Sequence, residues 1–244
     1  MVRARTLTAD DFDAVYAAFT DAFSDYVVKL SPSREQLVEM LTRRGYLPGA
    51  SVGLFDDKRL AAFTLNGVEG ERGYDSGTGV VLSHRRRGLG RTVMEASFDA
   101  LRGQGCTSYV LEVLDNNHKA VKLYRALGFE EVRGLQCWTY QPAENDAGRT
   151  ARAPLPSWQN SDASVARATD HHVTVGDGSV LFPSNGDLVL RGTLTADVLR
   201  EAATIAGKPL RIMNVDERDR EVAAFLEAAG ATRTVRQLEL VRKL

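Results

Sequence analysis

The sequence predicts an α/β chain built on a mixed sheet, and three observations carry that prediction. β-prone runs alternate with amphipathic helical segments over most of the length. At 80–90, Val-Val-Leu-Ser-His-Arg-Arg-Arg-Gly-Leu-Gly reads as a strand end, a tight basic loop and a helix start. The order strand, helix, strand, helix, strand over 78–140 then recurs over 172–241, so a second, related domain is expected.

Thr8 with Asp11 three residues on marks a helix start, and Phe12, Val15, Phe19 and Phe23 recur at helical spacing. Ser33 begins a second helix with Leu37, Met40 and Leu41 on one face, closed by Gly45 and Pro48. Residues 50–55 and 60–66 are β-prone runs around a polar turn, and 74–82 completes an antiparallel meander. The helix after Gly90 places Met94, Phe98 and Leu101 on one face. It leads into a strand at 108–114, whose right-handed crossover makes it parallel to the strand before the loop. A helix follows, and a strand at 131–140 ends the first domain, 1–140.

Residues 141–167, poor in apolar side chains at the start, are expected to be a linker with a short helix near 158–167. The second domain, 168–244, is expected to hold a hairpin around Pro183-Ser184-Asn185-Gly186. Helices at 195–206 and 219–230 then alternate with strands at 210–215 and 233–241.

With 43% hydrophobic and 26% charged residues and a net charge of −1, the chain reads as soluble, without a field that favours nucleic acid or an anionic membrane. The start lacks a signal-peptide core and no run reaches spanning length, so a cytoplasmic location is expected. Cys106 and Cys137 read as buried structural thiols, and the four histidines, including His118 and the His171-His172 pair, form no ligand array, so no metal is expected.

The loop at 80–90 has the physics of an anion cradle. Unpaired N–H groups and the helix dipole converge at a helix N-terminus, Gly88 and Gly90 permit close approach, and Arg85, Arg86, Arg87 and Arg91 add charge. The chain holds four Gly-x-Gly spacings, and only this one has a strand behind, a helix ahead and an arginine three residues before it. Arg85-x-x-Gly88-x-Gly90 resembles the cofactor loop of the GNAT superfamily of acyl-CoA N-acyltransferases. The run 111–129, with Asn117, Tyr124 and the Gly128-Phe129 ending, resembles that family's second hallmark.

The resemblance spans about 3–140 and implies a GNAT fold followed by a degenerate GNAT-like half. It implies acetyl-CoA as acyl donor, gripped by Gly79, Val80, Val81, Leu82, Arg85, Arg86, Arg87, Gly88, Leu89, Gly90, Arg91, Asn117 and Tyr124, with the pantetheine arm between strands that splay apart. Tyr124 is the implied proton donor to the departing thiolate. Glu112 is the candidate base. Asp25, Tyr26 and Asp75 are candidates for the acceptor site, and the acidic residues Asp25, Asp75 and Glu112 hint at a cationic amine. In the second half Asp219 and Leu226 stand where Asn117 and Tyr124 stand, and its loop at 191–195 has one glycine and one arginine, so no second cradle is expected there.

An amine attacking a thioester must lose a proton, the oxyanion needs a donor, and the thiolate needs a proton. A backbone N–H at Val80 or Val81 can serve the oxyanion, and a phenol with an ordinary pKa of about 10 can serve the thiolate. The expected activity is therefore direct N-acetyl transfer to a primary amine. A small molecule is the first choice of acceptor and a protein N-terminus or lysine the second; an oligomer is compatible with the sequence. The competing reading is a non-catalytic acyl-CoA or small-ligand module. A dinucleotide site fits less well, since the third glycine is missing.

Overall fold

The capping residues read in the sequence act as caps. In the computed structural model, which describes residues 2–25, 31–142 and 148–244, Thr8 N–H donates to Asp11 Oδ2 at 2.8 Å and a 3-10 turn leads into α1 (Phe12–Ala22). Gln36 N–H donates to Ser33 Oγ at 3.2 Å to open α2 (Arg34–Arg43). Each cap satisfies an otherwise orphaned donor and contributes about 1 kcal/mol.

The chain divides into two compact units: Met1–Glu112 with His118–Glu130 and Leu240–Leu244, and Val113–Asn117 with Glu131–Glu239. These are not the contiguous blocks 1–140 and 168–244. The first unit's sheet has the order β1 (Arg3–Thr6), β2 (Val52–Asp56), β3 (Arg59–Glu69), β4 (Arg72–Val80), β5 (Ser108–Leu114). β2, β3 and β4 form the expected antiparallel meander, and α3 (Leu89–Gly103) crosses over to β5, which runs parallel to β4. β1 was not anticipated: all four of its side chains are exposed, so it shows no alternation, and its backbone pairing with β2 alone defines it.

Two features of this unit shape the site. A register shift between β3 and β4, from Leu65↔Gly77 to Asn66↔Asp75, leaves Ser76 as the extra residue of a β-bulge. The β4–β5 ladder runs only from Arg72↔Ser108 to Asp75↔Leu111, while β4 continues to Val80, so the two strands part beyond Leu111. α3 buries Val93, Met94, Phe98 and Leu101, and Gly73 is glycine because a Cβ there would sit 2.7 Å from Leu101 Cδ2. α4 (His118–Ala126) buries Val121 and Tyr124.

In the second unit β6 (Glu130–Tyr140) pairs antiparallel with β12 (Leu210–Asp216), from Leu210↔Tyr140 to Asp216↔Leu135 with a register shift between Ile212 and Val215. The strand expected to close the first domain therefore belongs to this core. The expected linker is not one: Ala151 in β7 (Ala151–Arg152) and Trp158 are buried, and α5 (Asp162–Ala166) supplies the short helix. β8 (Val173–Val175), β9 (Ser179–Phe182) and β10 (Asp187–Val189) form an antiparallel meander. After β11 (Thr193–Leu194), α6 (Ala196–Ala206) crosses over to β12, parallel to β10, and α7 (Arg220–Ala228) and β13 (Thr232–Lys243) follow. The sheet order is β13-β6-β12-β10-β9-β8. Both units thus contain a three-stranded meander, a helical crossover and a parallel strand. Cys106 and Cys137 are buried and free, as expected.

Candidate active site

Beyond Val80 the chain turns through a 3-10 helix at Leu82–His84 and enters α3 at Gly88, which takes a left-handed φ of +77°. Leu82 therefore lies in the turn rather than at the strand end. No side chain caps α3, in contrast to α2 and α6, so the first N–H groups of this helix have neither an intrahelical carbonyl nor a cap. A Cβ built at Gly88 meets nothing within 4 Å, which leaves the approach to those donors open.

The four arginines divide. Arg85 is committed to the protein's own groups: its guanidinium takes Asp25 bidentately at 2.6 and 2.8 Å, donates to Ala22 C=O at 2.8 Å, and its Nε donates to Val80 C=O at 3.3 Å. Arg85 holds the Asp25 carboxyl below its usual range, first through that hydrogen-bonded pair. Asp25, expected at the acceptor site, is thereby engaged by the loop, and Tyr26 lies outside the described residues. Arg86, Arg87 and Arg91 are exposed; Arg91 pairs with Glu95 at 3.1 Å, and Arg87 reaches Ser83 C=O at 3.4 Å.

The main-chain donors narrow further. Val81 N–H donates to Ala61 C=O at 3.0 Å and Leu82 N–H to Asp21 Oδ2 at 2.8 Å, which removes both from the donors expected to meet a thioester. Because Val80 pairs with Ala62 while Val81 bonds to Ala61, alternation of the antiparallel ladder turns the N–H of Val80 away from β3, toward the gap between β4 and β5. The same parity commits Gly79 to Phe63. Val80 is the donor that survives.

Where the strands part, two carboxylates stand on opposite faces. Glu112 is the first residue beyond the last pair, and Tyr74 Oη donates to its Oε2 at 3.0 Å. Asp75 is buried on the α3 side, where its oxygens accept from Gly77 N–H at 2.9 Å and Thr78 Oγ1 at 2.7 Å, and Thr78 also touches Met94 Sδ. Burial, only partly offset by those bonds, raises Asp75 to about 6. Expected at the acceptor site, it is 8% exposed, and strand alternation and the bulge turn it toward α3. Burial also drives Tyr109 well above the ordinary phenol range, with further contributions from Asp75 and Tyr124, so these three share one neighbourhood. Tyr109 donates to Asn66 Oδ1 at 2.6 Å, and the Tyr124 ring lies 5.7 Å from Phe129.

Tyr124 is 8% exposed on α4, so its ring is enclosed. Asn117 N–H donates to Leu114 C=O at 3.0 Å, closing the turn at the end of β5. His118, His171 and His172 are exposed. Sequence reasoning did not single out Tyr74 or Arg44, whose Nη1 donates to Ser76 C=O at 2.8 Å; neither sits in a motif, and only the bulge and the end of the ladder reveal them. Among the described residues no group of three or more His, Cys, Asp or Glu could hold a metal, and no helix is long and apolar enough to cross a membrane.

A meander whose last strand parts from a parallel neighbour beside an uncapped helix N-terminus defines a mixed α/β acyltransferase-type fold. Residues 12–129, just under half of the chain, match the model of the Acetyltransferase (GNAT) family. The chain is 37% identical over 76 residues to the ribosomal protein bS18-alanine N-acetyltransferase of Salmonella typhimurium, a match covering 31% of this chain and 51% of that protein. It is 31% identical over 70 residues to the thialysine N-epsilon-acetyltransferase of Mus musculus, covering 29% of this chain and 41% of that one. The chain thus spans about half the length of the curated relatives it matches.

Two solved structures share the fold over nearly the whole chain. A GCN5-related N-acetyltransferase from Sphaerobacter thermophilus matches with a TM-score of 0.66 at 13% identity, over 99% of this chain and 95% of that one. A tandem GNAT protein from the clavulanic acid biosynthesis pathway matches with a TM-score of 0.60 at 12% identity, over 100% and 98%. The mixed α/β GNAT fold expected from the sequence is borne out, and a two-domain arrangement fits.

Proposed function

We propose that the chain is an acetyl-CoA-dependent N-acetyltransferase acting by direct attack of a primary amine. The observation that carries this reading is the parting of β4 and β5 beyond Asp75↔Leu111, next to the uncapped start of α3. Bound acetyl-CoA would supply an activated acyl group, its pyrophosphate held by the N–H groups of Leu89 and Gly90 with charge from Arg86, Arg87 and Arg91. Val80 N–H, turned into the gap, donates to the carbonyl oxygen as it gains charge. Glu112 takes the proton of the amine, directly or through water, and Tyr124 returns one to the departing sulfur. Asn117 bonds the pantetheine arm. Arg85 contributes by fixing the loop through Asp25.

The names of the relatives point to two kinds of acceptor, the α-amino group of a protein's terminal alanine and the side-chain amine of a lysine analogue. Both are amines that are cationic at neutral pH and must lose a proton to attack, and Glu112 is the carboxylate proposed to take it.

We read the second unit from Glu131 onward as a degenerate GNAT-like half without a cofactor. Its α6 is capped, Val198 N–H donating to Thr195 Oγ1 at 3.3 Å, and Arg191 is turned inward onto Leu190 C=O at 2.9 Å, Asp162 and Asn160 C=O. Beside β12, Asn160 Nδ2 donates to Met213 C=O at 2.7 Å, and the cavity there, lined by Leu188, Leu190, Ile212 and Met213, measures only about 10 Å³.

The test is thiol release from acetyl-CoA with a panel of amines: a peptide beginning with alanine, thialysine, and spermidine. Amine-dependent release supports the proposal. Tight acetyl-CoA binding with no release for any amine would make the chain an acyl-CoA-binding module instead.

A further inference from the structure

We propose that Tyr74 is a positioning residue for Glu112, a role that rests on the reading of Glu112 as the base. Tyr74 is 1% exposed and pairs with Val110 across the β4–β5 ladder. Glu112 lies two residues beyond Val110 on the same face and one residue beyond the last paired position, Leu111. At that point the sheet stops holding β5 against β4, and a glutamate with three rotatable bonds would sample several rotamers. The Tyr74 hydroxyl spans the opening diagonally and donates to Glu112 Oε2 at 3.0 Å. Its ring has two side-chain torsions and is enclosed on all sides, so core packing fixes the position of the phenol oxygen.

This bond has two consequences. It holds the carboxylate at the mouth of the parting strands, and it stabilises the ionised form, which is the form able to take a proton. In the step itself an N–H bond of the ammonium breaks, the proton passes to the Glu112 carboxylate and the electron pair stays on nitrogen. Among the described neighbours, Arg44 reaches the bulge from the end of α2 through Ser76 C=O, and Asp75 and Tyr109 occupy the opposite face. On the Glu112 face the Tyr74 hydroxyl joins the two strands. A tyrosine that served only the fold would leave the acidic limb of kcat/KM unmoved when its hydroxyl is removed, whereas one that positions the base moves that limb together with the Glu112 titration, and that difference is measurable.

The experiment follows the Glu112 carboxyl by 13C NMR in protein labelled at glutamate, assigned with Glu112→Gln, in the parent and in Tyr74→Phe, which keeps the ring and the volume. The Glu112 titration is expected to move up by about one pH unit in Tyr74→Phe, the size expected for losing one hydrogen bond to a charged group. The acidic limb of kcat/KM for the fastest amine of the panel should move with it, while acetyl-CoA affinity holds. Adding Tyr74→Phe to Glu112→Gln should cost nothing further. An unmoved titration in Tyr74→Phe overturns the inference, as does an additional loss in the double variant. If the titration moves but Glu112→Gln turns over like the parent, the hydrogen bond stands, Glu112 is not the base, and the positioning role falls with it.

Discussion

Tyr124 carries the sharpest expectation at the scale of single residues. Its hydroxyl is the proton source in the proposed mechanism, and its ring is packed against Phe129 and enclosed within α4. Tyr124→Phe is therefore expected to fold normally and to lower kcat by roughly ten- to a thousand-fold, around the range for losing a general acid. Steady-state kinetics under chemistry-limited conditions, paired with calorimetric titration of acetyl-CoA, check it: affinity should hold while turnover drops.

Asp75 gives a prediction in pH. Burial lifts its carboxyl from 3.8 to about 6, so the folded state holds a proton that the unfolded chain has released between those values. Its contribution to stability is fully present below about pH 4 and is lost as pH rises through about 6, amounting to about 3 kcal/mol across the window. In Asp75→Asn that dependence disappears. Urea unfolding followed by circular dichroism should show the parent losing ground to the variant between pH 4 and 7, and an equal difference at both pH values would mean that Asp75 does not titrate there.

At the scale of elements, the start of α3 depends on a glycine with a left-handed backbone and an open approach. Gly88→Asp brings a carboxylate to the donors that would receive pyrophosphate and adds a conformational cost of about 1–2 kcal/mol. Acetyl-CoA affinity is expected to fall at least tenfold by calorimetry, and unchanged affinity would remove the anion site from this helix. The strand-loop-helix unit was legible in the sequence because its signals are local: an apolar run, a glycine pair, an amphipathic period. The caps at Thr8 and Ser33 were legible for the same reason. The fate of individual donors was not, because it depends on the parity of a ladder set by residues some twenty positions away, as Val81 with Ala61 shows. Asp75 misled the sequence reading in a related way: an acidic residue in a strand near the loop looks available, and only the bulge at Ser76 decides which face it takes.

Across the whole molecule, the boundary drawn from composition at 140 misses the pairing that matters. β6 finds its partner in β12, and Trp138 and Tyr140 are buried in a cluster with Leu199, Phe225 and Leu226. Truncation after Tyr140 would uncover that face of β6, and the product is expected to be insoluble or aggregated on size-exclusion chromatography. In the full chain, Asp219→Ala should cost about 1 kcal/mol of stability through its cap to Val222 N–H and leave acetyl-CoA affinity intact. A second equivalent of acetyl-CoA per chain, lost on changing Asp219, would contradict the reading of this half. Composition could not show that residues 151–166 belong to a core, because two side chains in a polar stretch, Ala151 and Trp158, make the difference.

Both tryptophans of the chain, Trp138 and Trp158, fall in the second unit, and the first has none. Trp138 lies in the core with the Arg233 guanidinium 5.0 Å from its ring, so its emission is set by burial and a nearby cation. Indole fluorescence is thus a built-in reporter for one half of the polypeptide and blind to the other. An unfolding curve recorded at tryptophan wavelengths will describe the half without the proposed chemistry, and the fate of the half with it has to be read from tyrosine absorbance or far-ultraviolet dichroism.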